Sequence, residues 1–487
     1  MARTAGNCEV LDNHRDTCFG VSRHIEDQMN KGQNHSDCNG LGPLEPKAQY
    51  AVIGLGKTGT SVVRFLTERG ISPLVFDTRE KPPQRNLFEQ RFPGVRIKTG
   101  PIKTADIKRC DKLVVSPGVD PNLPAISAAR ASGSEVIGDI ECFARQVEAP
   151  VIAITGTNGK STVTTLVAEI LQRHGFRVAV GGNLGTPALD LLQNHLAEVF
   201  VLELSSFQLA TTNSLSPDVA CILNIAPDHL DRHSTFGEYV ATKSKILSSA
   251  RSVVVNADDC HSRDLPSSAV RYRFSIEDRE GVEFFVREQG KTVSLFDPQG
   301  KLLDEVDLGQ RGSHNIANAL AAAAISTLAG ASRDSIIAIL REFKGLPHRS
   351  EFVASIKGVD FVNDSKATNP HAASASIRNI LKNKTGVVIL GGRSKHTDFK
   401  QLAKTLISFS HTIVLIGEAK EEIESALGGR VKTLRAADMN EAVSLAAGAA
   451  KKGDAVLLAP ACTSLDQYSD YQARGYSFSR AVRELSS

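Results

Sequence analysis

Short apolar runs that end in glycine or a polar residue recur along this chain, and stretches with helical periodicity separate them. Strands that alternate with helices in this way favour parallel sheets covered by helices on both faces. The predicted fold class is therefore α/β, with a β-rich insertion over 270–305. The strands predicted from the pattern are Tyr50–Ile53, Pro73–Phe76, Leu113–Val115, Val151–Ile154, Val199–Leu202, Val219–Leu223, Val253–Asn256, Val387–Leu390, Thr412–Ile416 and Ala455–Ala459.

The run Val151–Ile154 leads into a glycine-rich turn, and a helical pattern starts directly after it. Glycines in such a turn let backbone amides approach phosphate oxygens, and the helix N-terminus adds partial positive charge. Lys160 can reach the β- and γ-phosphates of a nucleotide, and the Ser161 hydroxyl can ligate Mg²⁺. The spacing is the variant G-x-x-G-K-S, because Ile154 stands where the usual motif has its first glycine. The pattern predicts a nucleoside-triphosphate site at Gly156, Thr157, Asn158, Gly159, Lys160, Ser161 and Thr162.

Candidate metal ligands follow two of the later strands. Glu203 ends the strand Val199–Leu202, and a carboxylate at that edge, next to a phosphate loop, is placed to bind Mg²⁺. His229 follows the strand Val219–Leu223 in a loop with two acids, a pattern that fits both a metal ligand and an ordinary surface or core histidine. Lys243 lies in the helical stretch YVATKSKIL, and its spacing alone predicts a solvated lysine.

A second glycine motif, G-x-G-x-x-G at Gly54–Gly59, follows the first strand and precedes a helix predicted over Ser61–Arg69. The next strand ends in Asp77. Glycines that approach a pyrophosphate, with an acid that hydrogen-bonds a sugar, are typical of a Rossmann-like NAD site. A UDP-sugar pyrophosphate fits the same pattern, so both ligands remain open at this point.

Amide side chains provide further candidate contacts. The turn Gly181–Gly185 contains Asn183, which could donate a hydrogen bond to a ligand. Asn315 and Asn318 lie three residues apart on one helical face, where they could bond the edge of an adenine or cap the helix.

Near the C-terminus, polar residues cluster just after strands, at the edge where open α/β sheets bind their ligands. Lys366 and Lys395, with Thr368 and Ser464, predict a site for an anionic substrate that carries a carboxylate. Two isolated surface lysines are the alternative.

The 487 residues predict about three domains of roughly 100–200 residues each. We expect a Rossmann-like domain over 47–140, a central ATPase-like domain over 141–345 and a doubly wound domain over 346–487. Residues 1–46 lack periodicity and contain no secretory signal, so we expect a disordered extension or a start codon assigned too far upstream. Their three cysteines and three histidines match no metal-ligand spacing.

The net charge is +3, without a block of like charge, so nucleic acid and anionic membrane are not favoured partners. No apolar run approaches the roughly 20 residues of a membrane span. The eight cysteines are scattered without C-x-x-C pairs, a distribution that suits a reducing cytoplasm. We expect a cytoplasmic monomer that acts on small molecules.

Seven motifs in order resemble those of the Mur ligases: GTNGKST, LELSSFQL, NIAPDHLDRH, HNIANALAA, LPHR, NDSKATN and PACTSLDQYSDYQARG. The resemblance covers about residues 48–487 and is strongest to the members that add D-glutamate. The D-N-P-R motif of the diaminopimelate- or lysine-adding members is absent, and folylpolyglutamate synthetases typically read GTNGKGS. A NAD-dependent dehydrogenase would leave GTNGKS and the third domain unexplained. A non-catalytic nucleotide-binding protein would not need Glu203, His229 and Lys243 together.

The resemblance implies that ATP phosphorylates the terminal carboxylate of UDP-N-acetylmuramoyl-L-alanine, and that the amine of D-glutamate then attacks the acyl phosphate. It implies that Lys160 and His229 act in catalysis with Lys243, which this family carbamylates, and that the Mg²⁺ ligands are Ser161, Glu203, His229 and Lys243. It adds Asn315, Asn318, Arg349 and Asp364 to the ATP site. It assigns the UDP-sugar to Thr58, Asp77, Thr78, Arg79 and Asn183, and D-glutamate to Lys366, Thr368, Lys395, Ser464 and Tyr471, which stands where some members have phenylalanine.

Overall fold

The computed structural model describes residues 49–82, 85–229, 232–290, 292–310, 312–382, 385–394 and 398–485. The described residues up to Phe343 form one compact unit, and those from Lys344 onward form a second. The first unit contains two sheets and the second contains one. The N-terminal extension over 1–46 and the predicted site residue Lys395 lie outside the described residues.

A five-stranded parallel sheet opens the first unit, with strand order β3-β2-β1-β4-β5. Its central strands are short apolar runs, as expected for parallel strands covered on both faces. The strands are β1 Tyr50–Ile53, β2 Leu74–Asp77, β3 Ile97–Thr99, β4 Lys112–Val115 and β5 Glu135–Ile137, and the helices are α1 Lys57–Thr67, α2 Arg85–Arg91, α3 Thr104–Ile107, α4 Pro124–Ala131 and α5 Asp139–Ala144.

The second sheet of this unit has nine strands in the order β14-β13-β12-β11-β10-β9-β6-β8-β7. It is parallel from β7 to β12, and β13 and β14 pair antiparallel at one edge. The strands are β6 Val151–Thr155, β7 Val178–Gly182, β8 Val199–Glu203, β9 Val219–Ile222, β10 Ser252–Asn256, β11 Val270–Ser275, β12 Phe284–Gln289, β13 Thr292–Asp297 and β14 Gly300–Asp304. The helices are α6 Lys160–His174, α7 Ala188–Leu191, α8 Ser206–Ala210, α9 Phe236–Ser248, a 3₁₀ turn Glu305–Asp307, α10 Ser313–Leu328 and α11 Arg333–Glu342.

The second unit is built on a six-stranded sheet with the order β15-β16-β20-β17-β18-β19, in which only β15 is antiparallel. Separate hydrophobic clusters cover its two faces, so the sheet is doubly wound as predicted. The strands are β15 Glu351–Ile356, β16 Val359–Asn363, β17 Gly386–Gly391, β18 Thr412–Ile416, β19 Lys432–Arg435 and β20 Ala455–Ala461, and the helices are α12 Pro370–Ile380, α13 Lys400–Phe409, α14 Lys420–Leu427, α15 Met439–Ala449 and α16 Tyr471–Glu484.

The predicted α/β class, with mostly parallel sheets, is confirmed, and so is the β-rich insertion. Two local predictions need correction. Helix α1 begins at Lys57, four residues earlier than predicted, because Gly56 already adopts the extended conformation of a helix N-cap. The sheet of the second unit contains β15, β16 and β19 besides the three predicted strands. The edge strands β15 and β19 are partly exposed and lack a continuous apolar run, which explains why the pattern missed them.

Candidate active site

The strand order of the central sheet explains why the site forms where it does. β6 lies between β8 and β9, and β7 flanks β8. All four strands are parallel, so their carboxyl ends meet at one edge. The phosphate loop, Glu203, Asn224 and Asn183 follow or end these strands and are therefore brought together.

The phosphate loop requires glycine at two positions. Gly156 has φ +152° and Gly159 has φ +84°, a region that side chains with a Cβ rarely adopt. A Cβ on Gly159 would lie 2.5 Å from Asn318 Oδ1. The loop is held by Asn224, whose carbonyl accepts from Thr157 N at 2.9 Å and whose Oδ1 accepts from Asn158 N at 2.9 Å. The helix α6 starts directly after this loop and directs its N-terminus there.

Lys160, the first residue of α6, folds over the loop. Its Nζ donates to Gly156 O at 3.0 Å and to Thr157 O at 2.9 Å. An ammonium held across a glycine-rich loop is placed to meet phosphate oxygens that bind to the loop amides. The loop and its lysine therefore fit the triphosphate of a nucleotide.

Glu203 and Ser161 form the oxygen pair that was predicted for Mg²⁺. The Ser161 hydroxyl donates to Glu203 Oε2 at 2.5 Å, and Asn183 Nδ2 donates to Oε1 at 2.5 Å. Within the described ranges no group of three or more His, Cys, Asp or Glu side chains could hold a metal ion. Mg²⁺ at nucleotide sites is commonly held by one or two carboxylates, with water and phosphate oxygens completing an octahedron. The hydroxyl and carboxylate therefore fit that ion. Asn183 lies at Glu203, on the phosphate side of the central sheet.

Lys243 is not the solvated helix lysine that its spacing predicts. It is 1% exposed. Its Nζ donates to Gly156 O at 2.9 Å and Thr155 Oγ1 at 3.3 Å, and lies 4.9 Å from the centroid of the Tyr239 ring. Burial, with the positive charge of Lys160 nearby, lowers the pKa of the Lys243 amine well below its usual value. The structure thus places an amine that readily loses its proton directly behind the phosphate loop.

His229 lies in the loop after β9 with φ +54°, an uncommon conformation for a residue with a side chain. Its ring packs edge-on against Phe207, with centroids 4.7 Å apart, and Nε2 lies 3.6 Å from Asp228 Oδ2. The Asp228 carboxylate is close enough to Lys243 to raise the pKa of that amine and partly offset the effect of burial. The role of His229 as a metal ligand stays a prediction.

The two predicted asparagines lie near the start of α10. Asn318 reaches Gly159, as described above, and Asn315 lines a small pocket beside the loop. The pocket has mostly apolar walls and a few amide and hydroxyl groups. Its lining residues are Thr162, Leu166, Leu308, Gln310, Asn315, Ala319, Leu340 and Phe343.

In the first sheet, Asp77 is 2% exposed and already has partners for its carboxylate. It accepts four hydrogen bonds, from Leu55 N and from the backbone N, Nε and Nη2 of Arg79. Burial alone would raise the pKa of the Asp77 carboxyl, but these bonds outweigh it and hold the pKa below its usual value. A carboxylate has about four acceptor positions, so any ligand that donates a hydrogen bond to Asp77 must displace one of these partners. Thr58 lies on the first turn of α1 and Thr78 is exposed next to Asp77.

The remaining predicted residues lie in the second unit. Lys366 Nζ lies 4.1 Å from the centroid of the Tyr471 ring. The Thr368 amide donates to Lys366 O at 2.8 Å, and Ser464 is 3% exposed in the loop after β20. Arg349 and Asp364 also lie in this unit. Burial raises the pKa of the Asp364 carboxyl above its usual value, and the Arg349 charge opposes that rise.

The prediction missed three residues that shape these sites. Asn224 follows a buried strand directly, so the rule that located Glu203 applies to it as well. Tyr239 Oη lies 3.0 Å from Thr157 Oγ1 and is buried against the loop. Arg474 is 1% exposed and contacts three strand ends of the second unit. No local signal marks the last two, because their contacts come from distant parts of the chain.

Three family models match the chain in order. They are the MurD-like N-terminal domain of the Mur ligases over residues 48–138, the Mur ligase middle domain over 154–326 and the Mur ligase glutamate ligase domain over 348–462. The chain belongs to the Mur ligase family, as its motifs predicted.

Two relatives carry the same name. The UDP-N-acetylmuramoylalanine–D-glutamate ligase of Legionella pneumophila (strain Lens) is 44% identical over 442 residues, which are 90% of this chain and 99% of that protein. Its namesake in Pseudomonas syringae pv. tomato is 45% identical over 438 residues, 89% and 98% of the two chains. The solved UDP-N-acetylmuramate-alanine ligase MurC of Thermotoga maritima has a TM-score of 0.58 at 18% identity and covers 90% of this chain and 99% of its own. This last likeness supports the fold.

None of the described helices combines the length and apolar character of a membrane span. The five cysteines in this part of the chain, Cys110, Cys142, Cys221, Cys260 and Cys462, are free thiols.

Proposed function

We propose that this chain is an ATP-dependent amide ligase that joins D-glutamate to UDP-N-acetylmuramoyl-L-alanine in peptidoglycan precursor synthesis. The observation that carries the ligase chemistry is the phosphate loop with the Ser161–Glu203 pair and the buried Lys243 beside it. The choice of substrates rests on the relatives, which are named for this reaction and are 43–45% identical over about nine-tenths of the chain.

The chemistry explains why such a site needs these groups. A carboxylate is a poor electrophile, so one of its oxygens first attacks the γ-phosphorus of ATP and ADP leaves. The amine of D-glutamate then attacks the acyl carbon, loses a proton, and phosphate leaves as the amide forms. The first step brings two anions together, so it depends on positive charge at the phosphate loop. Lys160 and the N-terminus of α6 supply such charge, and Mg²⁺ held by Ser161 and Glu203 would screen the phosphate oxygens further.

We further propose that Lys243 carries a carbamate. Its lowered pKa favours the neutral amine, whose nitrogen can attack carbon dioxide and lose a proton. The product replaces a positive ammonium by a negative oxygen ligand next to Glu203 and Asp228, both of which interact with Lys243. These oxygens would offer a second Mg²⁺ the hard ligands that it prefers, and His229 would add one imidazole nitrogen.

We assign the three substrates to the three domains. The domain over 47–140 would bind the UDP-sugar, with Thr58, Asp77, Thr78 and Arg79 near the glycine loop, and Asn183 of the next domain would contribute. The domain over 141–345 would bind ATP, with Asn315 and Asn318 at the base. That last domain would bind D-glutamate at Lys366, Thr368, Lys395, Ser464 and Tyr471.

The decisive experiment measures phosphate release from ATP with UDP-N-acetylmuramoyl-L-alanine and, separately, D-glutamate, L-glutamate, lysine or diaminopimelate. We expect release only with D-glutamate. Lys160→Ala should abolish it, and Lys404→Ala, which removes an exposed lysine of α13, should not. Release that needs no amino acid, or that survives Lys160→Ala, contradicts the proposal. Oxidation or reduction of NAD(P)H that depends on a substrate, followed at 340 nm, would favour a dehydrogenase.

Lys243→Ala tests the carbamate. We expect a severe loss of activity that acetate partly restores, because a short carboxylate can occupy the space left by the side chain. Lys245→Ala serves as the control two residues further along α9, where the lysine is exposed, and acetate should not affect it. Carbon-13 NMR of the wild-type enzyme in labelled bicarbonate should show a carbamate signal that Lys243→Ala lacks. Absence of both the signal and the rescue would refute the carbamate.

A further inference from the structure

The second unit contains a buried arginine whose acceptors are all neutral. Arg474 lies in the first turn of α16 and is 1% exposed. Its Nε donates to Ser365 Oγ at 3.0 Å and its Nη2 to Ser365 O at 2.9 Å. Its Nη1 donates to Cys462 O at 3.1 Å and to Gly391 O at 3.4 Å. One guanidinium therefore joins the segments that follow β16, β17 and β20.

These segments carry the residues predicted to bind the amino acid. Ser365 directly precedes Lys366, and Cys462 lies two residues before Ser464. The Ser365 hydroxyl, which accepts from Arg474, donates to the carbonyl of Tyr471 at 2.8 Å. Tyr471 in turn presents its ring to Lys366 at 4.1 Å. Arg474 is thus linked to Tyr471 through the Ser365 hydroxyl, and it holds the backbone next to Lys366 and close to Ser464.

The charge of Arg474 is costly where it lies. Burial lowers the pKa of its guanidinium to about 10, and the acidic groups Cys462, Asp466 and Tyr468 offset this only in part. A buried charge without a paired counter-ion destabilises a fold, and an apolar side chain of similar volume often serves stability better. An anion bound next to these loops would relieve that cost, because it would bring negative charge close to the guanidinium.

We propose that Arg474 is a positioning residue for the amino-acid pocket and the source of a fixed positive charge behind it. It holds the loops of Lys366, Ser464 and Tyr471 in one arrangement and favours an amino acid with two carboxylates. The inference rests on the proposed D-glutamate ligase function. It adds to that function a residue that contacts no substrate and acts through the loops.

The test compares Arg474→Met, Arg474→Lys and Ser365→Ala with wild type by steady-state kinetics and thermal unfolding. Arg474→Met should raise KM for D-glutamate by about 3- to 30-fold, the order expected for a residue that acts on a site without contacting the ligand, with KM for ATP and the UDP substrate within about 2-fold. Arg474→Lys keeps the charge but not the planar fork, so its effect should be intermediate. Ser365→Ala should raise KM for D-glutamate moderately, because it cuts the link to Tyr471 without removing charge. Arg480→Gln on the same helix, where the side chain is 69% exposed, is the control and should change none of the three constants.

The outcomes separate the two proposals. The proposed function would be refuted if the wild-type enzyme showed no phosphate release that depends on D-glutamate. If the wild type is active, two results would overturn the role of Arg474. In the first, the variants change all three KM values equally. In the second, they lower the unfolding temperature but leave KM for D-glutamate unchanged. If Arg474→Met does not fold, Arg474→Lys and Ser365→Ala decide by the same criterion.

Discussion

Replacing Gly159 by alanine combines a backbone effect with displacement of one side chain, and the structure offers a control that separates them. Gly159 has φ +84°, and a left-handed conformation costs an L-residue roughly 1–2 kcal/mol. The added Cβ would lie 2.5 Å from Asn318 Oδ1, so the Asn318 side chain must move. Gly175, at the other end of the same helix, has φ +114° but no atom within 4 Å of its Cβ position. Gly175→Ala therefore has the backbone cost alone.

Both variants should lower the unfolding temperature by on the order of 2–8 °C, from about 2–4 °C per kcal/mol for domains of this size. Only Gly159→Ala should also weaken ATP binding. If Asn318 contributes one hydrogen bond of about 0.5–1.5 kcal/mol, the loss corresponds to roughly 2- to 13-fold in affinity. Differential scanning fluorimetry and calorimetric titration with a non-hydrolysable ATP analogue measure the two effects. Equal ATP affinity in the two variants would refute the reasoning.

Two further predictions concern carboxylates with lowered pKa values. Arg79→Met leaves the buried Asp77 without its side-chain partner, so KM for the UDP substrate should rise while KM for ATP stays unchanged. Steady-state kinetics measures both constants. An equal rise in the two would mean that the ion pair only stabilises the fold. Asp454 is 4% exposed and accepts from Thr385 Oγ1 at 2.6 Å and contacts His411 Nε2 at 2.9 Å. Burial alone would raise the pKa of the Asp454 carboxyl, but its hydrogen bonds outweigh burial and hold the pKa below the usual value. Its stabilising contribution is therefore present above the unfolded pKa of about 3.9 and is lost as pH falls through the folded pKa. Asp454→Asn should thus have a lower unfolding temperature than wild type at pH 7, and this difference should shrink below about pH 4. Thermal unfolding measured across this pH range tests the prediction, and a constant difference would contradict it.

The parts of the site that depend on neighbouring residues were predictable from sequence. The phosphate loop follows a buried strand and precedes a helix, and Glu203 ends an apolar run, so strand–turn–helix logic locates both. Parallel strands then bring them to one edge, as the hydroxyl–carboxylate distance of 2.5 Å between Ser161 and Glu203 confirms. The spacing of residues around Lys243 gave no sign of a functional role, and only the family resemblance singled this lysine out.

The residues that sequence reasoning misplaced or missed depend on burial by distant segments. Lys243 is covered because α9 packs against β9 and α8, a contact that the helical pattern around the lysine does not encode. Arg474 is covered by loops from distant parts of the chain. Two of its three hydrogen-bond partners, Gly391 and Ser365, lie 83 and 109 residues before it in the sequence. Charge in a helical stretch predicts a solvated face on average, and only tertiary packing reveals the exceptions.

The electrostatic environment of the buried cations divides them into two groups. Arg145 lies between Glu135 and Glu141, and these carboxylates outweigh burial and raise the pKa of its guanidinium above the usual value. Lys243 and Arg474 donate to neutral oxygens, and burial lowers the pKa of each. Paired carboxylates repay part of the desolvation cost of a buried cation, whereas a buried cation without them is retained against the full cost. For Arg474, this contrast supports a place next to a site for an anionic substrate, since negative charge arriving there would offset a cost that the folded chain carries alone. For Lys243, the lowered pKa favours the neutral amine, which is the form that reacts with carbon dioxide.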